Sequence, residues 1–281
     1  MQRKISLNYK EWLHTAYDSL RKIGIENSQI DAEYILSHVV HIPRLELKFN
    51  LQSKLTQQQE KRANALLKRR LNREPLQYII GSVDFYGLEI RVNRNVLIPR
   101  PETELLIDII HKENQTPGSI LDIGAGSGAI ALALKNLFPN AFVMGIDVSE
   151  PALKVAHANA KRLHIDAKFR KSDLFLKVKG KFDIIVSNPP YLSESEYHGI
   201  QPELRDYEPK SALVADEEGL AIYRNILEQA HQYLNPGGRI YFEIGNKQAD
   251  AISFLAQNNG YTLFEKKQDY NDFDRFFMIR T

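Results

Sequence analysis

From about residue 117 the chain alternates short β-branched runs with helical runs, and no other feature of the sequence restricts the fold as much. "SILDIGAG" reads as a strand and "SGAIALALKNLF" as a helix; "AFVMGID" and "SEPALKVAHANAKRL", capped by Ser149, repeat the pair. "AKFRKSD" and "KFDIIVSN" read as strands, "EGLAIYRNILEQAHQYL" as a helix, "GGRIYFEIG" as a strand and "KQADAISFLAQNN" as a helix. Repeated strand–helix units require a mainly parallel sheet covered by helices on both faces, an α/β fold. The tail "YTLFEKKQDYNDFDRFFMIRT" lacks a helical pattern and reads as two strands forming an antiparallel edge.

The first part of the chain has a different pattern. Residues 1–75 read as a small helical bundle with a weak core of its own. In "SQIDAEYILSHVV", Ser28 is the expected N-cap, and Ile30, Tyr34, Ile35 and Val39 share a face. In "TQQQEKRANALLKRRL", Thr56 and Gln59 have capping-box spacing. Trp12, the one tryptophan of the chain, is expected to anchor the bundle. Residues 76–93, "LQYIIGSVDFYGLEIRVN", are aromatic and β-branched with punctuating glycines, and read as a β-hairpin linking the bundle to a domain over 94–281. "LIPRPETELLIDIIHK" then opens a helix at Pro101, with Glu102 and Glu104 at its favourable N-terminal end.

Composition excludes several classes. The 281 residues include no cysteine, so disulfides, thiolate metal sites and a cysteine nucleophile are ruled out. No apolar run reaches the ~20 residues needed to span a membrane, and "MQRKISLNYKEW" has no signal-peptide core. A cytoplasmic location is the expectation. The eight histidines form no metal pattern; His157 and His164 lie seven apart without a third ligand in sequence, so no metal is expected. Net charge is only +2, but residues 1–82 carry 14 Lys and Arg against 8 Asp and Glu, while the remainder is net −4. Residues 61–73, "KRANALLKRRLNR", hold six basic residues and no acid. They read either as a solvated helix face or as a docking patch for an acidic or phosphate-bearing partner.

In the strand–turn–helix "LDIGAGSGAIAL", Gly124, Gly126 and Gly128 allow a tight turn and close approach of a ligand, and the following helix N-terminus can donate to a carboxylate or phosphate. Gly124, Gly126 and Ala129 also satisfy the dinucleotide fingerprint. Asp147 ends the second strand, where a carboxylate can accept both hydroxyls of a ribose. Asp173 and Leu174, after the third strand, are placed to hold an adenine through its exocyclic amine and by apolar contact; Asp173 is alternatively a helix cap. These positions support an adenosine-containing ligand, either a nicotinamide dinucleotide or S-adenosylmethionine.

"SNPPY" at the exit of the fourth strand separates the two. A dehydrogenase needs an acid or base beside the hydride acceptor, and none follows that strand. Asn188 and the carbonyl of Pro189 instead offer two acceptors, one for each hydrogen of an incoming –NH2. Pro189 and Pro190 fix the backbone and supply no competing donor. Tyr191 offers a flat face for a planar group. Amide and arylamine nitrogens are poor nucleophiles because the lone pair is delocalised. Acceptors set out of the amide plane bias the nitrogen towards a tetrahedral shape with its lone pair facing a sulfonium methyl.

These residues resemble the amino-methylating class I S-adenosylmethionine methyltransferases. Together with "REPLQYIIG", "DFYGLEIRVNRNVLIPRPETE", "EPKSALVADEEGLAIYR" and "LNPGGRIYFEIG", they are similar over essentially the whole chain to the release-factor glutamine methyltransferases, the PrmC (HemK) family. The resemblance implies a Rossmann-like sheet and S-adenosyl-L-methionine as cofactor, with S-adenosyl-L-homocysteine as product. It implies methylation of the glutamine in the Gly-Gly-Gln loop of class I peptide-chain release factors. Gly124, Ala125, Gly126, Ser127, Gly128, Asp147, Asp173, Leu174 and Asn188 would contact the cofactor, and Asn188, Pro189, Pro190 and Tyr191 the glutamine, with Asn188, Pro189 and Tyr191 catalytic. Leu174 stands where many relatives carry an aromatic residue, so it would cover the adenine with less stacking. The helical domain would recognise the substrate. Methylation of an adenine N6 or guanine N2 in nucleic acid is an alternative reading, disfavoured by the net acidic second part. A cofactor-sensing or partner-docking module is a further, non-enzymatic one. "HGIQPELRDYEPKSALVADEE" and "LIPRPETE" are expected to wall a substrate groove.

Overall fold

A computed structural model describes residues 7–281; the first six residues of the expected helical domain lie outside the described residues. The chain forms two compact units, one running through Gly81 and including Pro202–Tyr207, the other comprising Ser82–Gln201 and Glu208–Thr281.

The first unit contains α1 (Tyr9–Lys22), α2 (Ser28–Val40), a 3₁₀ turn (Arg44–Phe49), α3 (Gln57–Leu71) and α4 (Leu76–Ile80). Thr56 and Gln59 form the capping box that starts α3. Trp12, Ala16, Leu20, Ile35, Leu36, Leu47 and Leu67 belong to one core cluster, and the buried Trp12 donates its indole N–H to Asn64 Oδ1 at 2.8 Å. The bundle therefore has a core of its own, stronger than its sequence implied. On α2 the buried stripe is Ser28, Asp31, Ala32, Ile35, Leu36 and Val39, while Ile30 and Tyr34 are exposed. At 100° per residue those two fall outside that stripe. The N-cap is Asn27, not Ser28, which is the first helical residue.

The basic run of α3 divides by face. Lys68 is exposed, Arg69 forks onto the Glu74 carboxylate at 2.8 Å through both Nε and Nη2, and Arg70 is buried. Arg70 donates to Asp31 Oδ2 at 2.6 Å and to Glu203 Oε1 at 3.2 Å, and Arg73 reaches the same Glu203 oxygen at 3.1 Å. The Tyr207 hydroxyl donates to the Asn72 carbonyl. The helical segment Pro202–Tyr207, distant in sequence, is thus a member of this unit.

Residues 76–80, expected as the start of a hairpin, form α4 instead. Pro75 precedes the turn and Gly81, at φ 91°, ends it. That pair of punctuation marks outweighs the strand propensity of Tyr78, Ile79 and Ile80. The hairpin is confined to β1 (Ser82–Phe85) and β2 (Leu88–Arg91), and both strands lie in the second unit.

The second unit continues with α5 (Pro101–Glu113), β3 (Ser119–Ile123), α6 (Ala129–Leu137), β4 (Phe142–Asp147), α7 (Glu150–Leu163), β5 (Lys168–Lys171), β6 (Phe182–Ser187), β7 (Leu234–Glu243), β8 (Leu263–Gln268) and β9 (Asp274–Arg280). Helices Ala221–Ala230 and Ala249–Asn258 flank β7 in sequence. The sheet order is β5-β4-β3-β6-β7-β9-β8. β3 to β7 run parallel, and β9 pairs antiparallel with both β7 and β8. β6 shows continuous burial rather than alternation because helices cover both faces. From β3 the chain winds outward through β4 and β5, then returns to lay β6 on the other side of β3. The order of winding reverses between β3 and β6, so a crevice opens at their carboxyl ends.

Candidate active site

The register of β3 and β6 sets the site. Ile123 pairs with Ser187, and the Ser187 hydroxyl donates to the Ile123 carbonyl at 2.7 Å, so Gly124 and Asn188 leave the sheet side by side. The cleft at this switch point is lined by Gly124, Gly126, Asp147, Asp173, Leu174, Asn188, Pro189 and Pro190 among others. Residues far apart in sequence are brought together here.

The glycine turn is pinned to β4 from two directions. The Gly124 and Ala125 N–H groups both donate to the Ile146 carbonyl at 2.9 Å. Asp147 accepts from Gly126 N through Oδ2 and from Ser149 N through Oδ1, each at 2.8 Å. This carboxylate therefore shapes the cradle and still has lone pairs left for a ligand. Ala125, Ser127 and Gly128 stand outside the cleft lining. Gly128 serves packing: at φ 83° it starts α6, and a Cβ there would sit 2.9 Å from the Phe169 ring. Ser127 is buried, and its carbonyl accepts from Asn159 Nδ2 at 2.9 Å. Asn159 also bonds both backbone groups of Arg91, which joins α7 to the hairpin.

Asp173 occupies the N-cap position of the 3₁₀ turn Leu174–Lys177 but makes no side-chain cap bond, so its carboxylate is not spent on the turn. Leu174 has φ 40°, an uncommon backbone for a branched side chain. Ser172 holds that turn, donating to the Leu174 carbonyl at 2.7 Å and accepting from Lys177 N at 3.0 Å. Sequence reasoning missed Ser172; a serine just before an acid at a strand exit was the signal.

Tyr191 lines an adjoining pocket with Gly245, Gln248 and Arg275, not the cleft of Asn188 to Pro190. Its carbonyl accepts from Gln248 Nε2 at 2.9 Å, and burial pushes its phenol pKa up. Gly219, at φ 84°, passes so close to the Tyr191 backbone that any Cβ would collide with it. Of the two segments expected to wall the groove, residues 198–218 supply Pro209, Ser211 and Ala212, whereas "LIPRPETE" supplies only Leu97, with Asn95 and Val96 just before it completing that stretch. The buried Glu208 ties them, accepting from Ile98 N at 3.2 Å and Arg100 Nη2 at 2.6 Å.

Two buried acids went unread in the sequence. Asp122, within β3, accepts from Ala131 N at 3.1 Å through Oδ2, while Oδ1 has no partner. Burial, helped by the nearby charge of Asp147, pushes its carboxyl up to about 7. Glu243, at the end of β7, accepts the Thr103 hydroxyl at 2.6 Å. Thr103 Oγ1 in turn accepts from Asn188 Nδ2 at 3.3 Å. Burial pushes Glu243 up to about 7 as well. An acid inside an otherwise apolar strand was the available signal in both cases.

The residues present fit an adenosyl sulfonium ligand. Ile146, Val148, Ala152 and Leu174 supply apolar walls, Asp147 and Asp173 supply acceptors, and among the described residues none beyond its two chain neighbours comes within 4 Å of where a Gly124 Cβ would stand. Among the described residues no helix is long and apolar enough to cross a membrane.

Family models described as "PrmC N-terminal domain" and "Methyltransferase small domain" match residues 11–81 and 101–202. The release factor glutamine methyltransferase of Haemophilus influenzae is 37% identical, covering 96% of this chain and 97% of its own length. That of Streptococcus pneumoniae is 47% identical over 74% of this chain and 75% of its own length. A solved methyltransferase from Pyrococcus furiosus, 22% identical, shares the fold with a TM-score of 0.54 over 79% of this chain and 98% of that one. Matched along nearly its whole length, with both domain models in order, the chain belongs to the S-adenosylmethionine-dependent release factor glutamine methyltransferase family.

Proposed function

We propose that this protein transfers the methyl group of S-adenosyl-L-methionine to the side-chain nitrogen of the glutamine in the Gly-Gly-Gln loop of a class I peptide-chain release factor, leaving S-adenosyl-L-homocysteine. One observation carries the reading. A cradle suited to an adenosyl group and a donor-poor corner suited to an –NH2 share one cleft, at the switch point between β3 and β6.

When bound, the cofactor supplies a methyl group on a positively charged sulfur, already activated, so the reading calls for no metal and no strong base. Gly124, Gly126 and Asp147 would hold its amino-acid and ribose portions, and Asp173 and Leu174 its adenine. Asn188 Oδ1 and the Pro189 carbonyl each accept one hydrogen of the glutamine –NH2. Because they lie out of the amide plane, they favour a nitrogen whose lone pair faces the methyl. Positioning of this kind can lower a barrier by roughly 7–11 kcal/mol. Pro189 and Pro190 have no N–H to compete for those acceptors. Tyr191 flanks the glutamine from the adjoining pocket. The helical unit recognises the release factor, and the reaction belongs in the cytoplasm, where release factors act.

The test is incubation with methyl-labelled cofactor and either a release factor or its Gln-to-Ala variant. Label in the first and none in the second is expected; label in nucleic acid instead would overturn the reading. Asn188→Ala should lower transfer on the order of 10²–10³-fold, with cofactor affinity by calorimetry largely retained.

A further inference from the structure

The proposed reaction requires Asn188 to present its carbonyl oxygen, not its nitrogen, to the glutamine. The two ends of a carboxamide are nearly equal in size, so packing alone does not choose between them, whereas hydrogen bonding does. Asn188 Nδ2 faces Thr103 Oγ1 at 3.3 Å. Thr103 has one hydroxyl proton, and it is committed to Glu243 Oε2 at 2.6 Å, the length of a charge-assisted bond. The threonine oxygen is then left only to accept, so it admits the –NH2 end of Asn188 and repels Oδ1. Thr103 and Glu243 are both 3% exposed, which keeps water from substituting for either. The Tyr223 hydroxyl donates to the Glu243 carbonyl at 2.8 Å and steadies the end of β7.

Resting on the reaction proposed above, we infer that Thr103, oriented by Glu243, is a positioning residue that sets which end of the Asn188 carboxamide meets the substrate –NH2. The relay spans three elements: α5 carries Thr103, β7 carries Glu243, and the turn after β6 carries Asn188.

The relay works in this direction only while Glu243 is ionised. Once protonated, its O–H can donate to Thr103 Oγ1. The threonine proton then swings to Asn188, and the carboxamide turns its –NH2 to the substrate. Burial holds Glu243 up at about 7; the Thr103 bond, Arg275 on β9 and Arg100 before α5 favour ionisation, and Glu102 on α5 opposes it. Tyr191 and Tyr223 also face it as uncharged phenols, both with pKa values raised by burial. Turnover should therefore fall as pH drops through about 7.

The experiment compares kcat at saturating cofactor and release factor for wild type, Thr103→Val and Thr103→Ser across pH 6 to 9. Valine keeps the shape and removes the relay. It should lower kcat about 100-fold, leave cofactor affinity unchanged and flatten the acid limb. Serine should restore both rate and limb. Wild-type kcat in Thr103→Val overturns the inference, as does an acid limb that persists unchanged in it. Joint loss of cofactor binding and turnover in valine, with serine no better, assigns Thr103 to packing and also overturns it. Failure of wild type itself to label the glutamine strikes the reaction, a result distinct from an active wild type matched by Thr103→Val.

Discussion

The helical unit pairs its buried acids with arginines, whereas the sheet unit pairs some, such as Glu208 with Arg100, and leaves two others without a cation. In the helical unit Arg70 lies between Asp31 and Glu203, with Arg73 completing the set. Burial works against ionisation of both acids. A bond from its own backbone N–H, followed by the two arginines, nevertheless leaves Glu203 below its ordinary pKa, and Arg70 offsets part of the rise at Asp31. In the sheet unit Asp122 and Glu243 are buried without an ion pair, and both are pushed up to about 7. Paired buried charge serves architecture: it holds the segment Pro202–Tyr207 in the helical unit and, through Glu208 and Arg100, ties the groove wall of the sheet unit. Unpaired buried charge stands next to the cleft, where a proton that moves near neutral pH is useful.

The sharpest way to break this contrast is Arg70→Ala. It strands Asp31 in a buried site, leaves Glu203 with Arg73 alone, and should cost about 3–5 kcal/mol of stability. Denaturant unfolding of the full chain checks this, and an unchanged midpoint would mean the cluster is decorative. Next comes Asp122→Asn. The folded-state pKa is raised above the unfolded value, so this group's contribution is full below about pH 4 and lost as pH rises through about 7. The amide variant should gain on wild type between pH 4 and 8 by up to about 4 kcal/mol. Parallel pH dependences for the two proteins would place Asp122 with the paired charges. Asp147→Ala removes two charged hydrogen bonds to the cradle as well as a ligand acceptor, and should weaken cofactor binding by about 1.5–3 kcal/mol; calorimetry reads it directly. Lys68→Ala, on the exposed face of the same basic run as Arg70, should change stability by less than about 0.5 kcal/mol. If release-factor affinity and its salt dependence nevertheless fall in that variant, the exposed face is an interface.

That basic run shows where legibility stopped. Lys68, Arg69 and Arg70 look alike in a string of letters. Only the opposing acids, one on α2 and one more than a hundred residues later, separate a solvated lysine from a buried arginine. Tyr34 and Ile30 failed for a related reason: an apolar residue marks a helix face only once the neighbouring helices are in place. Tyr191 was read with its neighbours in "SNPPY", yet the turn directs it to the next pocket. Thr103 and Glu243 lie 140 positions apart, and nothing local ties them.

The sequence by itself determined what depends on neighbours within a few residues. Examples are the capping box of Thr56 and Gln59, the strand–helix alternation, the glycine turn and the donor-poor corner after β6. Each follows from backbone sterics and short-range hydrogen bonding, which are encoded in consecutive letters. Tertiary structure alone decided which charges are neutralised and which way Asn188 faces. Desolvation and hydrogen-bond partnership are set by whatever segment arrives alongside, and chain order does not specify that arrival.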